Sequence, residues 1–187
     1  NLWWGPGFRN SLLMSNNAPG FFHGTFNSVK PLKTFLGSFE FQVIGGRLEG
    51  SGVQPVAADY VVNGINYLEP KSTDARYISA LIFNYQPRWI PGLFLGFSRS
   101  FHLYISDMGS GLTDVFPFIL PFEKKRVPLE DEKRRDQLAS FSARWVFPAS
   151  QLEIYGEIGW NDYKNSLIDW YLSLEHSRAY LFGMRKV

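Results

Sequence analysis

Two carboxylates, Glu153 and Glu157, lie four residues apart in a segment that alternates in polarity. Paired carboxylates are the usual acid/base machinery of glycan hydrolysis. In an extended strand the two share a face, but a rise of ~3.3 Å per residue puts them ~13 Å apart, outside the ~5 to 9.5 Å window of such pairs. Glu153 and Glu157, with Tyr155, instead read as the wet face of a strand. His23, His102 and His176 are scattered, and neither HExxH nor GxSxG occurs. The chain has no cysteine, which removes disulfides, thiolate zinc sites and Cys nucleophiles. No metal site and no cofactor is expected. The alternative that stays open is a hydrolase acting on glycans or lipids, with His102 beside Ser98 or Ser100, or His176 beside Ser177, as its Ser/His pair.

Binding chemistry is better represented. Sugar recognition needs aromatic faces for stacking on pyranose C–H surfaces, and Asn, Asp, Glu or Arg for hydroxyls and uronic carboxylates. Asp59, Tyr60, Asn63, Asn66 and Tyr67 group in one stretch, and Asp162, Tyr163, Asn165, Asp169, Trp170 and Tyr171 in another. The charged run from Glu123 to Asp136 carries both signs and reads as a solvated, self-paired loop, although its basic members suit anionic phosphates or acidic polysaccharide. A net charge of +2 argues against a nucleic-acid partner.

The elements that hold these residues read as strands. Aromatics make up 17% of the 187 residues and are dispersed in short bursts, which favours β-structure. Period-2 alternation predicts seven strands, near residues 22–30, 38–48, 75–86, 93–104, 137–147, 151–161 and 177–187. Most are of the length, about 9 to 11 residues, that crosses a bilayer at a tilt. The best apolar run, Phe116 to Phe122, is short and interrupted by Pro117 and Pro121, so a spanning helix is excluded.

The connections alternate. Residues 31–37, 87–92 and 148–150 are short and begin with proline, whereas 49–74, 105–136 and 162–176 are long. Short turns on one side and long loops on the other are the pattern of an outer-membrane barrel, although a soluble sandwich can also produce it. Leu152, Ile154, Ile158 and Trp160 form a lipid-type face opposite Glu153, Tyr155 and Glu157. Arg99 interrupts the face of Leu93, Leu95 and Phe97, implying either a headgroup-level position or a bulge. Tyr85, Trp89, Tyr104, Trp160 and Tyr163 lie near strand ends, where an interfacial girdle is expected. Seven strands are fewer than the eight or so that close a bacterial barrel, so the expected fold is all-β, part of a larger antiparallel up-and-down transmembrane barrel. The opening residues Asn1-Leu2-Trp3-Trp4 lack signal-peptide features, which suggests a processed or truncated start.

Residues 1–21 form an irregular segment ahead of the strands at 22–187, the whole reading as a single region. Trp3-Trp4-Gly5-Pro6-Gly7 and Asn10 to Pro19, with Ser15 and Asn17, are turn chemistry around an apolar anchor. This stretch resembles the WWGPG…NSLLxSNNA signature of the Wzi family of capsule-assembly outer-membrane proteins. Further matches follow in order: Gly45 to Glu49, Leu95 to Arg99, Glu153 to Gly159 with Asp162, and Glu175 to Gly183. The resemblance implies an outer-membrane barrel with added helical structure at its periplasmic end, serving as a lectin-like, non-catalytic attachment point for capsular or other surface polysaccharide. It further implies contact with outer-membrane lipid and lipopolysaccharide, and with other capsule-export components. Trp3, Trp4, Gly5, Pro6, Gly7, Asn10, Ser15 and Asn17 would then be structural members of the motif.

Overall fold

The computed structural model describes residues 2–17, 19–50, 52–53, 57, 59–68, 72–120, 135–161 and 177–186. The alternating segments form β1 (Phe22–Asn27), β3 (Gly37–Leu48), β6 (Arg76–Pro87), β7 (Leu93–Tyr104), β8 (Asp136–Phe147), β9 (Leu152–Asn161) and β10 (Arg178–Lys186). Three two-residue strands join them: β2 (Leu32–Lys33), β4 (Val61–Val62) and β5 (Ile65–Asn66). The sheet runs in sequence order, β1-β3-β6-β7-β8-β9-β10, every pair antiparallel, with β2 against β3 and with β4 and β5 forming a separate hairpin. The chain is therefore all-β with up-and-down topology.

The seven expected strands coincide with the seven of the main sheet to within a few residues. β1 is the exception, ending at Asn27 rather than Lys30. There Ser28 takes over the ladder: its N–H donates to the Phe41 carbonyl at 3.0 Å, and its Oγ accepts from the Phe41 N–H at 3.1 Å. The expected alternation of short and long connections is also seen, with β6 to β7 and β8 to β9 joined by tight turns. β3, β6, β7 and β8 each contain 12 residues, which at ~3.3 Å per residue reach ~40 Å along the strand. Helix among the described residues is confined to single turns such as Leu112–Val115, and none is long and apolar enough to cross a membrane.

Directly opposed residues share a face, so the register sorts the sheet into two surfaces. Phe41, Phe83, Phe97, Phe141, Ile158 and Tyr180 form one continuous row across six strands. The adjacent row on the other surface reads Glu40, Asn84, Gly96, Ser142, Glu157 and Leu181. The apolar surface is open: Phe141 is 49% exposed, Phe182 74% and Met184 73%.

Toward the long-loop end the apolar surface is covered. The turn Pro117–Ile119 packs over β6 and β7, and Phe101, Leu103, Ala139 and Gln137 are buried there. This accounts for Arg99. The register of β7 with β6 and β8 is unbroken around it, so no bulge switches the faces. Arg99 stays on the apolar surface with Leu95 and Phe97 and is buried beneath the loop. Its guanidinium donates to the Phe118 carbonyl at 3.1 Å, to the Leu120 carbonyl and to Gln137 Oε1. Trp160, expected on the lipid-type face, is on that face but buried, its ring 5.4 Å from that of Phe141.

Candidate functional site

The polar surface is organised by the N-terminal segment, which lies across it. The Trp4 N–H donates to the Met14 carbonyl at 3.0 Å, forming a one-residue antiparallel bridge. This presents Trp4 and Met14 to Ile44, Ile78, Ala80 and Ile82, which together form the buried core. The Trp4 indole N–H reaches Gln42 Oε1 on β3 at 2.9 Å, and that of Trp3 closes the turn onto the Gly7 carbonyl at 3.0 Å.

Glu157 is the second anchor. Its Oε2 accepts from the Leu12 N–H at 3.1 Å and faces Ser11 Oγ at 3.5 Å, while its Oε1 accepts from Ser140 Oγ at 2.9 Å. Ser140 pairs in turn with Ser98 at 2.7 Å. The Ser11 hydroxyl also donates to the Trp4 carbonyl. Gly5 has a φ of +147°, and a Cβ there would meet Ser11 Oγ at 2.5 Å and Glu157 Oε2 at 2.8 Å. Only glycine fits that crossing. Pro6 and Gly7 complete the turn, with Gly7 passing against the Asn10 carbonyl, and the Ser15 hydroxyl accepts from the Asn17 N–H at 3.4 Å.

Glu153 has a different role. Arg144 and Arg185 both donate to its Oε2, at 2.6 and 3.3 Å. Arg144 lies over Phe94 at 5.8 Å and Arg185 over Phe8 at 5.0 Å, tying β8, β9 and β10 to the N-terminal segment. Tyr155 shares this surface, its ring occupying the space above Gly183. These arginines were not picked out in the sequence; register is what brings them to Glu153. Of the Ser/His pairs, Ser98 is engaged with Ser140, and His102 Nε2 faces Asp136 Oδ2 at 3.4 Å. His176 lies outside the described residues.

On the connection from β3 to β6, Asp59, Tyr60, Asn63, Asn66 and Tyr67 lie on or beside the β4–β5 hairpin. Asn63 (φ 52°) and Gly64 (φ 79°) form its turn, a signal readable as Asn-Gly between short apolar pairs. The Tyr67 N–H donates to the Tyr60 carbonyl at 2.8 Å, and Asn66 Oδ1 accepts from the N–H groups of Tyr60 and Leu68, both at 3.0 Å. Asn66 is thus spent on the turn. Tyr60 and Tyr67 stand exposed with ring centroids 6.5 Å apart. The candidates Asp162, Tyr163, Asn165, Asp169, Trp170 and Tyr171 lie outside the described residues, as does most of the charged run at 121–134.

The arrangement offers two exposed rings at the long-loop end and a polar surface with a fixed N-terminal strap. No group of three or more metal-ligating side chains occurs among the described residues. No curated protein and no solved structure matches the chain. A family model described as capsule assembly protein Wzi matches residues 1–186, covering every element described above. This chain therefore belongs to the Wzi family of capsule assembly proteins.

Proposed function

We propose that this chain forms part of the wall of an outer-membrane β-barrel that binds surface polysaccharide during capsule assembly without catalysing a reaction. The observation that carries this reading is the continuous row Phe41–Phe83–Phe97–Phe141–Ile158–Tyr180, backed directly by the row of Glu40, Asn84, Ser142 and Glu157. A contiguous open apolar surface of this kind is unfavourable in water and favourable against lipid. The family assignment supplies capsule assembly as the process. Residues 1–21 act as a strap on the lumen side of residues 22–187, making the chain a single working region.

In this reading Tyr60 and Tyr67, with Asp59 and Asn63, contact the polysaccharide outside the cell, and Asp162, Tyr163, Trp170 and Tyr171 of the last long loop join them. Glu153 and Glu157 are structural, held by Arg144, Arg185, Ser140 and Leu12, which supports a non-catalytic role. Lipopolysaccharide and capsule-export components are further proposed partners. The test is retention of polysaccharide on cells that express the full-length protein. Replacing Tyr60 and Tyr67 by Ala should raise the fraction shed into the medium several-fold, while the amount of protein extracted by detergent stays at the wild-type level. Wild-type retention in cells lacking the protein altogether would overturn the reading.

A further inference from the structure

A cavity of about 620 Å³ opens between the N-terminal strap and the polar surface of the sheet. Its volume is that of a small-molecule site, roughly 300–1,000 Å³. Trp3, Glu40, Asn84, Ser142, Arg144 and Arg185 supply its principal side chains, together with the Glu153 carboxylate. The strand residues among them sit toward the ends joined by short turns. The Tyr60/Tyr67 hairpin lies on the connection between the opposite ends of β3 and β6.

Three features distinguish this cavity from ordinary wet lumen. First, three of its polar side chains are not consumed by the fold. The side chains of Glu40, Asn84 and Ser142 line the cavity and form no hydrogen bond to another described residue. Second, Gly96 keeps the floor open: a Cβ there would stand 2.4 Å from Ser142 Oγ and 3.0 Å from Asn84 Oδ1. Third, the Trp3 ring is fixed by its bond to the Gly7 carbonyl and forms a rigid aromatic wall.

The charges specify the ligand. Two arginines are balanced by two glutamates, so a strongly anionic ligand gains nothing over a neutral one. Donors and acceptors are intermixed beside aromatic surface, the combination that recognises a polyhydroxylated ring. We propose that this cavity is a second carbohydrate site, taking a short neutral stretch of the polysaccharide on the lumen side of the wall. The proposal rests on the polysaccharide-binding reading above and adds a site far from the long loops.

The test uses the full-length protein in detergent micelles and neutral oligosaccharides of two to four sugars released from the producing cell's own surface polysaccharide. Calorimetry should show that Glu40→Ala and Asn84→Ala each weaken oligosaccharide binding about tenfold, the size expected for losing one or two hydrogen bonds. The Gly20→Ala control, where an added Cβ meets nothing within 4 Å, should stay within about twofold of wild type. As a measurement independent of variant folding, a diazirine-bearing oligosaccharide should cross-link wild-type protein on the peptide containing Trp3 or Asn84. Unchanged affinity in both cavity variants, or cross-linking confined to residues 59–68, overturns the second site. Binding of intact polysaccharide without any oligosaccharide binding overturns it too, leaving the long-loop reading in place. Absence of binding to either overturns both.

Discussion

Glu157 in the middle of β9 accepts a hydrogen bond from the backbone N–H of Leu12, 145 residues earlier in the chain. With Ser140 on its other oxygen, this carboxylate fastens the N-terminal strap to the wall. Glu157→Ala leaves the Leu12 N–H and the Ser140 hydroxyl without their acceptor and should cost about 1–3 kcal/mol. Glu157→Gln, which keeps one accepting oxygen, should cost less. Limited proteolysis within residues 1–21 of the detergent-solubilised protein measures this directly: cleavage should be several-fold faster in the Ala variant, and an unchanged rate would show that the strap is held otherwise.

Gly5 makes a separate prediction, because its backbone passes between Ser11 and Glu157 at a positive φ. Gly5→Ala combines an unfavourable backbone conformation with a Cβ that has no room, at a cost on the order of 1–3 kcal/mol. Denaturant midpoints should fall accordingly. Gly20→Ala, where an added Cβ meets nothing within 4 Å, is the control and should change the midpoint little.

The two surfaces should differ sharply in tolerance to charge. Ile158→Arg and Phe141→Arg place a cation on the open apolar row and should destabilise the protein in lipid by about 2–4 kcal/mol if they lie near the bilayer midplane. Ser142→Arg, one position along on the polar surface, should cost much less. Equal losses at Phe141 and Ser142 would remove the distinction between the faces.

Asp74 ties the end of one long loop to the start of the next, its Oδ2 accepting from the Ser106 N–H at 3.1 Å. Hydrogen bonds from the Ser106 side chain and backbone hold the Asp74 carboxyl below its ordinary pKa. A lowered folded-state pKa stabilises the folded form at pH values above the unfolded-state pKa, ~3.9, and that contribution is lost as pH falls through the lower folded value. The Ser106 amide resonance should therefore titrate with a midpoint below ~3.9. A midpoint at or above that value would contradict the pairing.

The strands were legible because period-2 alternation and aromatic content act locally. Even the short-turn and long-loop pattern follows from spacing alone. β6 was legible on one face only: Ile78, Ala80 and Ile82 make its second face apolar too, and the reason, burial under Trp4 and Met14, depends on a segment more than 60 residues away. Arg99 looked anomalous for the same kind of reason, since the carbonyls that satisfy it belong to the loop folded back over β7. The Arg144–Glu153–Arg185 cluster required the register of three strands. The Tyr60/Tyr67 pairing is the converse case, being local and signalled by Asn63-Gly64, yet its grouping was read from residue types rather than from the hairpin.

The central claim is that one surface of this sheet faces lipid and the other does not. These 187 residues contain no cysteine, so a Cys introduced here has no competing thiol within them. Bimane attached at Cys replacing Ile154, Ile158 or Phe182, in the full-length protein reconstituted with brominated lipid, should be strongly quenched. The same label at Glu153, Tyr155 or Ser142 should retain its emission. Quenching that alternates with the strand period is the predicted result, and uniform quenching, or none at Ile158 and Phe182, would contradict the account.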